Sequence, residues 1–437
     1  MEKNSYYIET YGCTANKADS YIISSVLNKA GYFQKNLEDA EFVFINTCAV
    51  KQQTENKIKS RLRELYDRYK KEENKYFVIA GCLPHIEDNY IDVVKKIIPN
   101  FSAIIDLDNL DEIPDILRDI KSGKKNLVIK SKGVIDKSKF LIEYPSSKIT
   151  GIVPISSGCL GACTYCCVKN ARGRLNCYDS KNIIENVKHQ LKQGIKQIYL
   201  TSQDCSTYEY ENTKLVDLIS NIVELDYKFF LRVGMLNPKF LVDQFEQLRS
   251  IFKFKKVYQF LHIPIQSGSD SILKLMNRYY SVADITEKLK TLRKEFPLLT
   301  ISTDIICGFP GESEKDFNQT IDVIKWLKPE ILNVSKFTPR PGTKAKSMEQ
   351  LEGKIIKKRS TILSNVFRES LSKINTNWKN WEGEVLVLHE GFKENQAFGR
   401  NFAYKNIFIE NFTGVFGSFV NARIYKVVGF NLFAELI

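Results

Sequence analysis

Cys159, Cys163 and Cys166 stand in the run GCLGACTYC, a C-x3-C-x2-C loop that gathers three sulfur ligands into eight residues. Thiolates are the expected ligands of a four-iron, four-sulfur cluster. Three of them leave one iron without a protein donor, and an open iron is where a small molecule binds and reacts. Gly158 and Gly161 let the backbone turn around such a group. A structural zinc site would want a fourth ligand at similar spacing. Cys167 and Cys177 are the nearby sulfurs, so spacing alone leaves zinc open.

A second set of sulfurs accompanies the first. Cys13, Cys48 and Cys82 end the runs SYYIETYGC, AEFVFINTC and KYFVIAGC, each an apolar strand pattern. Their separations of 35 and 34 residues are about one strand–helix unit each. All three are therefore expected at the carboxyl rim of one parallel sheet, where open α/β folds bind ligands. Ordinary buried cysteine is the alternative, since cysteine is a frequent core residue.

Other polar residues follow strand patterns. Gln203 and Asp204 in TSQDCS could meet the ribose or amino-acid part of a cofactor, or simply cap a helix. His262, Gln266 and Ser267 occur in HIPIQSGS. DIICGFPGE offers a glycine-rich turn but lacks the Gly-Lys-Ser/Thr ending of a phosphate loop. Arg340 follows the strand ILNVSKF and could reach a substrate anion. Arg172 and Arg174, in ARGR, suit a carboxylate or phosphate partner, or equally a solvated salt bridge.

The elements that must position these residues fall into three segments, as expected of 437 residues. Residues 1–130 alternate strand and helix, the pattern of an open parallel-sheet domain. ADSYIISSVLNKAGY reads as an amphipathic helix with Gly31 as its C-cap, and TENKIKSRLRELYDRYKK as a charged one. Residues 126–147 read as a polar link. The second segment, residues 145–370, holds six strands: IVPIS, KQIYLTS, FFLRVG, VYQFLHIP, TISTDIIC and ILNVSKF. Six units suit a partial (β/α)6 barrel with its site at the top, and pattern alone also allows a doubly wound sheet. Residues 347–379 look helical and basic. Residues 375–437 carry short alternating segments with Gly and Asn turns, the pattern of a small closed β barrel.

Composition bounds the class. Hydrophobic residues are 43% and charged residues 26%, ordinary for a globular protein. No apolar run is long enough to cross a membrane, and MEKNSYYIETYGC has no apolar leader, so a cytoplasmic protein is expected. Ten cysteines, several of them tightly clustered, in a reducing compartment favour metal or redox chemistry over disulfides. The net charge of +13 suits RNA or DNA, although basicity also aids solubility. The charge is uneven. Residues 343–379 carry +6 and residues 381–437 carry −1.

In these motifs the chain resembles the radical S-adenosylmethionine (SAM) methylthiotransferases, most closely their archaeal and eukaryotic transfer-RNA branch. YGCTANKADS, FVFINTCAV, VIAGCLP, SSGCLGACTYC, VKNARGRL, HIPIQSGS and DIICGFPGE carry the resemblance, in order and spacing, with a terminal barrel like an RNA-binding TRAM domain. The resemblance implies two [4Fe-4S] clusters. One at Cys159, Cys163 and Cys166 would bind SAM and generate a 5′-deoxyadenosyl radical. An auxiliary one at Cys13, Cys48 and Cys82 would hold the sulfur to be transferred, and a second SAM would donate the methyl group. It also implies that SAM meets Tyr165, Arg172, Gln203, Asp204 and Gln266. The TYC and VKNARG wording points to C2 of N6-threonylcarbamoyladenosine in the anticodon stem-loop of tRNA. The threonyl carboxylate would then need Lys169, Arg172 or Arg340. An electron-donor protein and a sulfur source are implied partners. Alternatives are a relative acting on isopentenyladenosine or a ribosomal-protein side chain, and a non-catalytic RNA-binding protein with a structural metal.

Overall fold

Apolar side chains on both faces of Phe42–Thr47 fix the centre of the first sheet. Phe42 and Phe44 enter one core while Val43 and Ile45 enter another on the opposite face, as the two-residue period of a strand requires. A strand buried on both sides reads as a continuous apolar run and belongs in a parallel sheet covered by helices. Each fully buried Val, Ile or Phe contributes roughly 1.5–3 kcal/mol. The structure is a computed structural model and describes residues 4–87, 89–131 and 133–437. Residues 1–3 of the N-terminal run MEKNSYYIETYGC and residue 132 of the expected link lie outside them.

Contacts divide the chain into two compact units. The first comprises Met1–Tyr144, Ile152–His189 and Thr338–Lys346, and the second Pro145–Gly151, Gln190–Phe337 and Ser347–Ile437. In chain order the first unit holds β1 (Ser5–Thr10), α1 (Thr14–Lys29), β2 (Phe33–Gln34), β3 (Phe42–Thr47), α2 (Gln52–Tyr69), β4 (Tyr76–Gly81), α3 (Tyr90–Ile97), β5 (Ala103–Ile105), α4 (Ile113–Lys121) and β6 (Leu127–Ile129). The strands form one six-stranded sheet in the order β2-β1-β3-β4-β5-β6, every pair parallel. Three of these strands were legible from apolar runs; β2, β5 and β6 have two or three residues each, too few to display a period. Helix α1 starts at Thr14 and ends with Ala30 as C-cap; Gly31 lies one residue beyond, at φ +83°.

The segment read as a polar link, 126–147, is anchored at some of its described residues and exposed at others. It opens with β6, and Lys137 is 2% exposed because its ammonium pairs with Asp19 at 3.0 Å. After β7 (Thr150–Pro154), a small antiparallel pair of β8 (Ser156–Ser157) and β9 (Asn176–Cys177) closes the base of the C-x3-C-x2-C loop. The loop runs into α5 (Val168–Arg172), and α6 (Ser180–Lys192) follows β9.

The second unit carries β10 (Gln197–Thr201), a hairpin of β11 (Glu209–Tyr210) and β12 (Thr213–Lys214), α7 (Leu215–Val223), β13 (Phe230–Arg232), α8 (Pro238–Asp243) and α9 (Phe245–Ser250). Then come β14 (Phe260–His262), α10 (Asp270–Leu275), α11 (Val282–Glu295), β15 (Thr300–Cys307), α12 (Glu314–Leu327), β16 (Ile331–Lys336) and the long α13 (Gly353–Ile374). All six expected strands are present, as β7, β10, β13, β14, β15 and β16. β10 pairs with β13, and β14, β15 and β16 pair in turn, all parallel. Single bridges, Leu231 to Val257 and Met235 to His262, carry the run from β13 to β14.

The C-terminal strands β17 (Glu382–Glu390), β18 (Ala397–Asn401), β19 (Asn406–Ile409), β20 (Phe419–Val428) and β21 (Asn431–Leu436) close into the expected barrel in the order β17-β18-β19-β21-β20. Its interior is apolar, with Val385, Val387, Ile407, Ile409, Ile424 and Leu432 buried together. The barrel docks at the amino-terminal ends of β14 and β15: Gln259 N donates to Phe402 O at 2.8 Å and Thr300 Oγ1 to Ala403 O at 2.7 Å. Tyr404 packs there against Tyr258 and Phe260. Gln203 and Asp204 follow the carboxyl end of β10, and Gln266 that of β14. No helix among the described residues is long and apolar enough to cross a membrane.

Candidate functional site

Register brings the first three cysteines together. β1, β3 and β4 are neighbours, with Thr10 opposite Asn46 and Thr47 opposite Gly81, so Cys13, Cys48 and Cys82 leave the same edge of the sheet. Cys82 N donates to Thr47 O at 3.0 Å. The thiols of Cys13 and Cys82 lie 3.5 and 4.0 Å from one atom, Asn16 Oδ1. The Asn16 amide is itself pinned, its Nδ2 donating to Thr47 O at 2.6 Å. Cys48 lies against Gly12. A Cβ at Gly12 would stand 2.6 Å from Cys48 Cβ and 2.7 Å from its sulfur, and φ there is +114°. Only glycine meets both demands.

A cation faces this triplet. Arg172, at the end of α5, donates from Nε to Cys82 Sγ at 3.2 Å and from Nη2 to Asn16 Oδ1 at 3.0 Å. Nη2 also pairs with Asp19 Oδ2 at 2.6 Å, and the two side chains are 4% and 3% exposed. Burial alone would raise the Asp19 pKa. The charges of Arg172 and Lys137 reverse that and hold it below the ordinary carboxylate value. Burial pushes the Cys48 thiol up to about 11 and raises Cys82 as well. These thiols lose their protons when they ligate a metal.

The loop triplet converges around Gly161. A Cβ there would meet the Cys159 sulfur at 3.3 Å and the Cys163 sulfur at 3.8 Å. Gly161 N donates to Cys159 Sγ at 3.2 Å. Burial, followed by the neighbouring Cys163, raises the Cys166 thiol to about 12. Lys169 Nζ reaches Gly161 O at 2.9 Å and lays a positive charge along the loop. Tyr165 is half-buried beside Cys166.

Both triplets fit an iron–sulfur group. Each presents three sulfurs, one of which accepts from an N–H, Cys159 from Gly161 and Cys82 from Arg172, and backbone or guanidinium donors to sulfur are the usual means of stabilising and tuning such clusters. Among the described residues, no three His, Cys, Asp or Glu side chains converge tightly enough for one metal ion. A cubane takes each thiolate on a different iron, so its cradle is wider than a single-ion cage.

The remaining expected site residues divide between the units. Arg340 returns to the first unit, where it is 5% exposed and pairs with Glu55 at 2.6 Å. It also donates to Gln52 Oε1 at 2.6 Å and Ala49 O at 2.8 Å. A substrate carboxylate would have to displace these partners. Arg172 is committed in the same way, to Asp19, Asn16 and Cys82. Lys169 alone of the three candidate cations spends its charge on backbone carbonyls. Cys167, adjacent to one ligand, is buried and donates to Ala49 O, adjacent to another, at 3.3 Å.

In the second unit, Asp204 accepts from Ser206 N at 3.1 Å and Asn237 N at 3.3 Å. It therefore caps a turn, as one reading of TSQDCS had it. Burial raises its pKa. Its Oδ2 and the neighbouring Gln203 Oε1 are buried without a hydrogen-bond partner among the described residues, an arrangement that suits a ligand with hydroxyl donors. Gln266 holds φ +70° at the end of the β14 run, a left-handed conformation that costs a non-glycine residue on the order of 1 kcal/mol. His262 Nε2 lies 2.9 Å from Asp304 Oδ2, whose other oxygen accepts from Asn333 at 2.7 Å.

Sequence reading did not find an aromatic row on the C-terminal barrel. Phe398, Phe408 and Phe433 stand opposite one another on β18, β19 and β21, on the face away from the barrel core. Phe392, 87% exposed, stacks on Phe408 at 5.2 Å, and His389 stacks on Phe398 at 4.7 Å. Alternation within each strand was the available signal, but the row exists only once strand pairing is known.

Residues 153–324 match the family model of the radical SAM superfamily, and residues 5–104 match that of the Uncharacterized protein family UPF0004. A probable threonylcarbamoyladenosine tRNA methylthiotransferase of Pyrococcus horikoshii is 38% identical, with 99% of each chain covered. The human threonylcarbamoyladenosine tRNA methylthiotransferase is 33% identical over 96% of this chain and 72% of its own. Among solved structures, the radical SAM methyltransferase TsrM of Kitasatospora setae is similar in fold. It has a TM-score of 0.58 and 12% identity, covering 79% of this chain and 75% of that one.

Proposed function

This chain belongs to the threonylcarbamoyladenosine tRNA methylthiotransferase family, and from that premise we propose that it places a methylthio group on C2 of N6-threonylcarbamoyladenosine in tRNA. The observation that carries the reading is the pair of cysteine triplets in one compact unit, each with an N–H donor on one of its sulfurs. An aromatic C–H of this kind is not acidic enough for a side-chain base, and radical cofactors exist for such bonds. Bound to this chain, SAM and an iron–sulfur cluster at Cys159, Cys163 and Cys166 supply the 5′-deoxyadenosyl radical, and a second cluster at Cys13, Cys48 and Cys82 supplies the sulfur.

The protein's residues hold and orient. Asn16 and Gly12 shape the N-terminal cradle, and Gly161 N–H steadies the Cys159 sulfur. Within the second unit, Gln203, Asp204 and Gln266, after β10 and β14, are the polar groups suited to SAM's hydroxyls; within the first unit, Tyr165 lies beside the loop. Lys169 is the cation best able to accept a carboxylate, because its present partners are neutral carbonyls. The exposed rings of Phe392 and His389, backed by the aromatic row of the C-terminal barrel, support tRNA as partner: stacking on such rings binds unpaired bases without net positive charge. The exposed Lys354, Lys357 and Lys358 of α13 add phosphate attraction. The reaction draws on an electron-donor protein and a sulfur source.

The test is anaerobic incubation of the reconstituted protein with SAM, reductant, sulfide and tRNA carrying N6-threonylcarbamoyladenosine, followed by mass spectrometry of nucleosides. Gain of a methylthio group on that nucleoside, with release of 5′-deoxyadenosine, is expected. Modification of isopentenyladenosine instead, or SAM cleavage with the nucleoside unchanged, would overturn the assignment.

A further inference from the structure

Arg172 sits six residues after Cys166 yet touches the other triplet. Its helix α5 is continuous with the C-x3-C-x2-C loop, so one side chain joins the two cysteine sets within one unit. The contact is built rather than incidental. Asp19 holds the guanidinium at 2.6 Å, Lys137 holds the other Asp19 oxygen at 3.0 Å, and all three side chains are 4% exposed or less. Burying three charges is costly, and removing one partner of such a set strands the others. The arrangement leaves Arg172 Nε aimed at Cys82 Sγ at 3.2 Å.

We propose that Arg172 is a positioning residue for the auxiliary cluster, holding the Cys82 sulfur with a charged N–H and thereby setting that cluster's reduction potential, with Asp19 as the opposing charge. The proposal rests on the two-cluster reading above. Hydrogen bonds and net charge at cluster sulfurs are the main protein controls of potential. A guanidinium donor favours the more negative, reduced state and raises the potential. The Asp19 carboxylate, behind it, lowers it. Because the same residue is anchored to the loop of the first cluster, the electronic setting of one site and the placement of the other are coupled through a single helix turn.

The experiment uses the full chain with Cys159, Cys163 and Cys166 replaced by Ala, so that only the N-terminal triplet loads with iron and sulfide. Iron content, the electron paramagnetic resonance spectrum of the reduced state and the midpoint potential are measured for this parent and for Arg172→Gln, Arg172→Lys and Asp19→Asn within it. Expected are a more negative midpoint and an altered spectrum for Arg172→Gln, partial recovery for Arg172→Lys, and a shift of opposite sign for Asp19→Asn. A purely structural role would not give opposite signs. If Arg172→Gln fails to load, Arg172→Lys and Asp19→Asn decide. A parent that binds no cluster overturns the two-cluster reading. A loaded parent whose midpoint is unmoved by these changes, or moved in one direction by both, overturns the proposal alone.

Discussion

At the scale of residues, the proposed function divides the chemistry between two sets of three sulfurs. Replacing Cys159, Cys163 or Cys166 by Ala should abolish reductive cleavage of SAM, read as 5′-deoxyadenosine. Replacing Cys13, Cys48 or Cys82 should leave some cleavage and remove methylthio insertion. Equal loss of cleavage from both sets would contradict the division. Gly12→Ala makes a sharper probe, since it removes no ligand. The new Cβ would stand 2.6 Å from Cys48 Cβ on a backbone at φ +114°, so the N-terminal cradle must distort. Iron bound by that triplet should fall while the loop triplet keeps its own. The cysteines were legible because ligand spacing is written along the chain. The partners of Arg172 and Arg340 were not, because Asp19 and Glu55 lie far away in sequence. A lone arginine in a motif looks the same whether it awaits a substrate or completes a buried ion pair.

At the scale of elements, the parallel strands do the positioning. Apolar runs such as Phe42–Thr47 and Thr300–Cys307 showed themselves in the sequence because both faces are buried. The three-residue β5 and β6 carried no period to read. Nor could the phenylalanine row of β18, β19 and β21 be seen before its register was known. That row gives a prediction of its own. Phe392→Ala should weaken tRNA binding by about 1–3 kcal/mol, the worth of one stacked base, with little change in the salt dependence of affinity. Replacing Lys354, Lys357 and Lys358 together should instead flatten the salt dependence. Binding isotherms at several salt concentrations separate the two. Insensitivity to Phe392→Ala would remove the barrel from the tRNA contact.

At the scale of the whole molecule, the chain leaves its first unit, builds strand–helix repeats, and returns for Thr338–Lys346. Nothing in composition marked that return; TPRPGTKA reads as a loop after a strand. Arg340 fastens it, with its buried guanidinium on Glu55, Gln52 and Ala49 O. Arg340→Ala should cost about 1–3 kcal/mol, because Glu55 keeps Lys59 at 2.6 Å and the Tyr90 hydroxyl on one oxygen but loses the guanidinium on its other, buried oxygen. A lowered urea midpoint should report it, and a change below about 1 kcal/mol would mean that Lys59 alone, with water, satisfies the carboxylate. The same fold keeps both sulfur sets in one unit, and this is the claim on which the functional account stands. Anaerobic iron and sulfide analysis of the reconstituted protein tests it most directly. The account predicts about eight irons per chain, falling to about four when either triplet is replaced by alanines. About four irons in the unaltered protein, with no loss on replacing Cys13, Cys48 and Cys82, would contradict it.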